Sequence, residues 1–95
     1  MTDALQPNAM INALTEPIAL EPVPAGQVES GSPSAGSSDL LRFGEIEIGL
    51  WEHTPGLSTD VEADEVFVVL SGRATVEFVE SGEFLQLEPG VVGRL

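Results

Sequence analysis

The chain contains no cysteine among its 95 residues. It therefore forms no disulfide bond and offers no thiolate for catalysis or for metal binding. The absence of cysteine suits a reducing compartment, and we expect a cytoplasmic location. No apolar run approaches membrane-spanning length, and the first residues, Met1 to Pro7, carry an acid where a signal peptide carries bases. Secretion and membrane insertion are therefore not expected.

Basic residues are scarce. Three Lys and Arg stand against sixteen Asp and Glu, which gives a formal net charge of -13 at pH 7. Such a charge repels phosphate backbones and anionic lipid headgroups. We expect this acidic protein to bind neither nucleic acid nor a membrane surface.

Helical periodicity is nearly absent. A faint helical pattern follows Pro7 and ends near Thr15, and it is too short to be stable alone. Residues 16–38 are rich in Pro, Ser and Gly, so we expect an extended or disordered N-terminal arm over residues 1–39. The scattered apolar residues of this arm leave open an edge strand or an apolar strap on the following domain; they are Ile18, Leu20, Val23 and Val28.

A β domain is predicted over residues 40–95. Residues 45–50 alternate polar and apolar with period two, which predicts a half-buried strand with Trp51 on the face opposite its isoleucines. Pro55-Gly56 ends that strand, and a second short strand is predicted over residues 83–87. Pro89 and Gly90 fit the second and third positions of a type II turn. Short strands with regular turns favour an all-β sandwich or barrel.

Residues 65–78 form the clearest pattern, two β-rich runs joined by Ser71-Gly72. We expect a hairpin with Ser71 and Gly72 as its two-residue loop. Directly opposed residues share a face of a sheet, so this register predicts an inner and an outer face. The inner face comprises Glu65, Phe67, Val69, Ala74, Val76 and Phe78. The outer face comprises Val66, Val68, Leu70, Arg73, Thr75 and Glu77.

Glu65 is the candidate functional residue, because a carboxylate on an apolar face is costly to bury without a partner. It is expected to face a cavity as an acceptor for a ligand, a metal ligand or a general base. Phe67 and Phe78 are the aromatic residues expected to touch a ligand. The predicted ligand cavity is lined by Glu65, Phe67, Val69, Val76 and Phe78, and Glu65 is the one candidate catalytic residue.

Three motifs carry a family resemblance. Six residues separate Glu65 from Gly72, Leu87-Glu88-Pro89-Gly90 forms a turn, and Gly49-Leu50-Trp51-Glu52 precedes Thr54-Pro55-Gly56 and Asp64-Glu65-Val66. In their order and spacing these residues resemble the cupin superfamily, most closely its ureidoglycine aminohydrolase-like branch. The similarity spans roughly residues 31–90. It implies a cupin-type antiparallel β-barrel or jelly roll, complete or partial, that binds a polar small molecule.

The resemblance also implies two metal-binding histidines just before Glu65, where this chain has Thr59 and Val61. Valine has no donor atom, and a threonine hydroxyl is a poor ligand for a first-row metal. We therefore predict no metal site from these residues, and a divalent metal would need ligands from outside this sequence. A jelly roll uses about eight strands, so a chain with four or five is a fragment, or is completed by the arm and a second subunit.

Two further candidates have plainer interpretations. His53 is the only histidine; it shares the parity of Trp51, and an exposed structural role is expected because Glu52 points to the opposite face. Asp60, Glu62, Asp64 and Glu65 form an acidic run without the glycine-centred pattern of a calcium loop, which is typical of a solvated loop.

Three functions follow from these patterns. The first is a cupin-like domain that binds a polar small molecule, with catalysis unproven. The second is a divalent-metal cupin enzyme of the ureidoglycine aminohydrolase type. The third is a non-catalytic structural or dimerising β domain, because the apolar outer strip of Val66, Val68 and Leu70 needs a cover that a homodimer partner or the arm provides.

Overall fold

A computed structural model describes residues 3–95 of the chain. These residues form antiparallel strands and one short 3-10 helix over Ala25–Gln27, which confirms the all-β class. The strands are β1 (Glu21–Pro22), β2 (Val28–Ser30), β3 (Ser34–Phe43), β4 (Ile46–His53), β5 (Leu57–Ser58), β6 (Val66–Val68), β7 (Ala74–Glu77), β8 (Phe84–Leu87) and β9 (Val92–Arg94). No helix in residues 3–95 is long and apolar enough to cross a membrane.

The faint helical pattern after Pro7, expected to be too short for a stable helix, forms no α-helix over residues 7–15. Isolated turns take its place: the Ala9 amide donates to the Gln6 carbonyl, and the Thr15 amide donates to the Asn12 carbonyl. One turn fixes several backbone angles for a single hydrogen bond, so such a short segment does not propagate a helix unaided.

The chain divides into two compact units, Met1–Asp60 and Val61–Leu95. In the first unit, β3 is the centre of a three-stranded sheet of order β1-β3-β4. Strands β3 and β4 form a hairpin in which Phe43 pairs with Ile46, and Gly44 provides a positive φ of 59° in its turn. The predicted strand over residues 45–50 is confirmed as part of β4.

The N-terminal residues contribute edge strands to this unit. Strand β1 pairs with the start of β3, and β2 pairs with β5. The sequence left open an edge strand or an apolar strap for Val23 and its neighbours. The segment around β1 forms an edge strand. The boundary predicted between residues 39 and 40 stays a prediction, and β3 runs across it.

A close contact holds the end of β4 near the start of β3. Pro33 is buried, and a Cβ on Gly56 would come within 2.7 Å of its Cδ. The Ser34 amide donates to Thr54 Oγ1 at 2.7 Å, and the Thr54 amide donates to the Ser34 carbonyl at 2.8 Å. Pro55-Gly56 thus ends β4 as predicted, and the glycine leaves room for the proline ring.

The second unit is a two-stranded ribbon that folds back once. Strand β7 pairs with β8 across the turn at residues 78–83, and β6 pairs with β9 outside them. The hairpin predicted across Ser71-Gly72 is therefore wrong. The partner of Val69 is Val91: the Val69 amide donates to the Val91 carbonyl at 2.9 Å, and the Gly90 amide donates to the Val69 carbonyl at 2.9 Å. These bonds occupy the backbone that a β6–β7 ladder would need.

An irregular break separates the two ladders of the ribbon. Five residues lie between the paired Val68 and Ala74 on one arm, whereas four lie between the paired Leu87 and Val92 on the other. On the shorter arm the Val91 amide donates to the Glu88 carbonyl at 3.1 Å, and Gly90 has a φ of 94°. The predicted turn over residues 88–91 is confirmed, with glycine at the position that needs a positive φ.

The described residues bury little apolar surface. Leu40 is the one buried large apolar side chain in residues 3–95, with 8% of its surface exposed. It lies at a β-bulge, where the register of β3 against β4 shifts between Asp39 and Leu41, and its carbonyl accepts from the Leu5 amide at 2.9 Å. No sheet in this range closes into a barrel.

Candidate functional site

Four of the residues predicted to line a cavity lie on the half-buried face of their strands. Phe67, Val69, Val76 and Phe78 are all half-buried, and their alternate neighbours are exposed. The cross-strand partners extend this face, since Val76 pairs with Leu85, which is also half-buried. These residues belong to two separate ladders, β6–β9 and β7–β8, and their grouping around a cavity stays a prediction. We name this face, Phe67, Val69, Val76, Phe78 and Leu85, the inner face.

The Phe67 ring, at one end of the inner face, packs over the backbone of Gly93. Phe67 and Gly93 are directly opposed in the β6–β9 ladder. A Cβ on Gly93 would lie 2.8 Å from Cε1 of Phe67, closer than real contacts permit. The ring therefore lies across the glycine backbone, where a strand glycine has no side chain of its own to pack.

Glu65 lies just before β6, where the ladder with the C-terminal segment ends. The Leu95 amide donates to the Glu65 carbonyl at 2.9 Å, and the Glu65 amide donates to the Leu95 carbonyl at 3.4 Å. Its backbone is thus held in the sheet, but the residue is exposed. The expected burial of this carboxylate is absent because nothing in the ribbon covers the end of β6. Its catalytic or ligand-binding role stays a prediction.

The outer strip is the most apolar exposed surface of the second unit. Val66 is 70% exposed, and Val68 and Leu70 are also exposed. Val68 pairs with Val92, which is 65% exposed, and Val66 pairs with Arg94. The strip therefore comprises Val66, Val68, Leu70 and Val92, with the Arg94 guanidinium at one end. The cover that was expected for this strip, by a homodimer partner or by the arm, stays a prediction.

The same side of the ribbon carries a polar ladder beyond the break. Arg73 Nη1 donates to Glu88 Oε2 at 2.9 Å, and Thr75 Oγ1 donates to Gln86 Oε1 at 2.9 Å. These four side chains border a shallow groove and are exposed. Each polar group already has a cross-strand partner, which favours a structural role.

His53 has a structural position in the first unit. Its ring lies 5.6 Å from that of Trp51, so the predicted shared side is confirmed. A hydrogen bond of 2.8 Å joins His53 Nε2 and Ser58 Oγ, and the ring is half-buried rather than exposed as expected. The turn at Pro55-Gly56 thus brings Ser58 of β5 within hydrogen-bond distance of the last residue of β4.

Metal-binding groups are not assembled in the part of the chain that the structure describes. No three His, Asp or Glu side chains of residues 3–95 come together in a cluster that could hold a metal ion. At the positions where the resemblance implies histidines, the Thr59 amide donates to the Gln27 carbonyl at 2.8 Å, while Val61 is 94% exposed. Whether a divalent metal is bound stays untested.

Comparisons with protein-family models, with curated proteins and with solved structures give no match for this chain. The cupin resemblance therefore stays a prediction.

The sequence reasoning missed two features of the strand pairing, one in each unit. The first is the pairing of β6 with β9, whose signal was the type II turn that returns the chain at Gly90. The second is the open edge of β4, which follows from the Phe43-Gly44-Glu45-Ile46 turn. Each feature depends on a turn, but the sequence of a turn does not specify which strands will pair.

Proposed function

We propose that this chain is a non-catalytic association domain that forms a homodimer through the outer strip. The observation that carries the proposal is the ratio of exposed to buried apolar side chains. Within residues 3–95, fifteen large apolar residues are exposed and only Leu40 is buried. A folded chain with so little buried apolar surface gains stability when a partner covers the rest.

Local charge favours a second copy on the outer strip. Its members are aliphatic, and Arg94 supplies the only charge among the residues paired along β6 and β9. The net charge of -13 opposes self-association at long range, but salt screens charges over about 8 Å at physiological ionic strength. A two-fold contact places the same patch on both subunits, which a neutral aliphatic strip allows.

Sedimentation equilibrium of the full chain tests this proposal. We expect a dimer at micromolar concentration, and we expect Val68→Lys to shift the population to monomer because each interface would gain two buried ammonium groups. Val79→Lys is the matched control: Val79 is 84% exposed in the turn after β7, outside the strip. A monomeric wild-type chain, or equal effects of the two variants, would contradict the proposal.

A second candidate function is the binding of a polar small molecule, with the chain as a cupin-like domain. Support comes from the inner face, where Phe67, Val69, Val76 and Phe78 are half-buried together beside the exposed Glu65. An apolar face with one acid at its rim suits a small ligand with an apolar body and a donor group. A barrel or jelly roll completed by further strands would turn this face into a cavity.

A calorimetric screen of small polar metabolites against the full chain tests this candidate. A ligand of the inner face should bind more weakly to Glu65→Gln and normally to Glu80→Gln, since Glu80 lies in the turn at residues 78–83. A screen without binding, or equal losses in both variants, would contradict it. The divalent-metal enzyme remains an implication of the resemblance, and elemental analysis of the purified chain checks it directly.

A further inference from the structure

Strand β4 leaves an open edge in the three-stranded sheet of the first unit. Among the strands of residues 3–95 the order is β1-β3-β4, so within this range β4 is paired on one side only over its eight residues. The opposite edge is different: β1 has two residues, one of which is Pro22, and Pro17 and Pro24 flank it. Proline donates no backbone hydrogen bond, so the β1 edge is blocked and the β4 edge is not.

The β4 edge lacks lysine, proline and a bulge of its own, three features that commonly hinder strand addition. Native edges are commonly blunted by lysine, by proline or by a bulge on the edge strand. Strand β4 contains neither Lys nor Pro, and the irregularity at Leu40 is on β3. The strand also presents large apolar side chains to solvent, with Trp51 69% exposed and Ile46 and Ile48 exposed as well.

We propose that β4 binds an extended segment of a partner protein, in which two basic residues flank a mainly apolar stretch, and that this segment adds to the edge as a fourth strand. Charge selects this occupant. Strand β4 carries Glu47 and Glu52, and neither Lys nor Arg. Glu47 forms an ion pair with Arg42, but a carboxylate has two oxygens and accepts a second cation. A Lys or Arg directly opposite each glutamate stabilises strand pairing.

The register specifies the order of residues in the partner segment. In an antiparallel pair, residues directly opposed share a face. Reading the segment from its N-terminus, a basic residue meets Glu52, apolar residues meet Trp51 and Leu50, any residue meets Gly49, an apolar residue meets Ile48, and a second basic residue meets Glu47. Backbone hydrogen bonds hold the segment, and the side chains select it.

A second copy of the chain fits this edge poorly. Pairing of two β4 strands would bring Glu45, Glu47 and Glu52 of both copies to one seam, in chains that each carry a net charge of -13. Unlike the outer strip of the second unit, this seam is charged. The proposal concerns β4 alone and does not rest on the proposed dimer.

A synthetic peptide tests the proposal on the full chain. The probe is an acetylated and amidated peptide of sequence Ser-Arg-Val-Val-Gly-Val-Lys-Val-Ser. One control replaces its Arg and Lys by Glu, and a second methylates alternate backbone nitrogens to remove hydrogen-bond donors. Trp51 is the only tryptophan, so its fluorescence reports binding, and amide hydrogen exchange locates it.

We expect saturable binding that slows exchange of the β4 amides. The charge-reversed peptide should bind about tenfold more weakly, because two favourable cross-strand pairs become repulsive. Raising the salt from about 0.05 to about 0.5 M should also weaken binding. The N-methylated peptide should not bind.

Protein variants distinguish the edge from general apolar attraction. Glu52→Lys should weaken binding of the basic peptide about tenfold and strengthen binding of the charge-reversed one. Val79→Lys, which adds the same charge outside β4, should leave both affinities near wild type. The proposal is overturned by equal binding of all three peptides, by protection that appears outside β4, or by a dimer whose β4 amides are already protected without peptide.

Discussion

The Phe67 ring lies across the backbone of Gly93, its directly opposed partner in the β6–β9 ladder. A Cβ on Gly93 would come 2.8 Å from Cε1 of the ring, so only glycine fits beneath the aromatic side chain in its present position. This pair joins the first strand of the second unit to the last.

Gly93→Ala should therefore open the outer ladder. The new methyl group must displace the ring, and overpacking of this kind costs about 1–3 kcal/mol. Hydrogen exchange at the Val69 and Leu95 amides, both bonded across the ladder, measures the change. Gly26→Ala is the control because its added Cβ meets no atom within 4 Å. Removal of the ring in Phe67→Ala should cancel most of the Gly93→Ala effect; additive losses would contradict the contact.

Gly90→Ala should destabilise the turn over residues 88–91, at the break in the ribbon. Gly90 has a φ of 94°, a conformation that costs a residue with a side chain about 1 kcal/mol or more. Its amide donates to the Val69 carbonyl, so the loss should appear as faster exchange of the neighbouring amides. Unchanged exchange relative to Gly26→Ala would show that the turn does not need its positive φ.

Leu40→Ala should be the most destabilising apolar truncation in the first unit. Loss of a buried leucine side chain typically costs about 2–5 kcal/mol, and the bulge site should fall at the low end because little else is buried there. Urea unfolding followed by Trp51 fluorescence measures it. Leu14→Ala is the matched control, since Leu14 is exposed and its truncation should cost less than about 0.5 kcal/mol. Equal losses would count against a core at Leu40.

Ser58→Ala should release the His53 ring. The bond between Nε2 and Oγ is part-buried, and its loss should lower stability by about 1 kcal/mol. The His53 ring lies 5.6 Å from the Trp51 ring, so Trp51 emission should also change. Thr59→Ala, one residue along, is the control. Emission identical to wild type would indicate that the bond does not position the histidine.

Local sequence patterns predicted the positions of the strands better than they predicted which strands pair. Period-two alternation found β4, and within β6 it assigned Phe67 and Val68 to opposite faces. Alternation depends only on the pleat, so those assignments hold whichever strand lies alongside. The inner face, by contrast, was grouped through the register of a hairpin that does not form, so its role as a cavity lining stays a prediction.

Pairing could not be predicted because it depends on contacts distant in sequence. Ser71-Gly72 is chemically suited to a hairpin loop, yet Val69 bonds to Val91 instead, twenty-two positions away. The Glu65 carboxylate is exposed, and not buried as expected, for a related reason. Alternation gives the direction of a side chain, whereas the cover above it comes from other parts of the chain, and no strand covers the end of β6.

The nested ladders of the second unit also set an order of assembly. The turn at residues 78–83 closes a short loop, so β7 and β8 meet at little entropic cost; β6 and β9 then join across the small break instead of closing the whole intervening chain at once. We expect the ribbon to form as a zipper from this turn toward its free ends. Substitutions at Val76 should slow refolding, whereas those at Phe67 should mainly speed unfolding, and stopped-flow kinetics would reveal the reverse order if β6 and β9 met first.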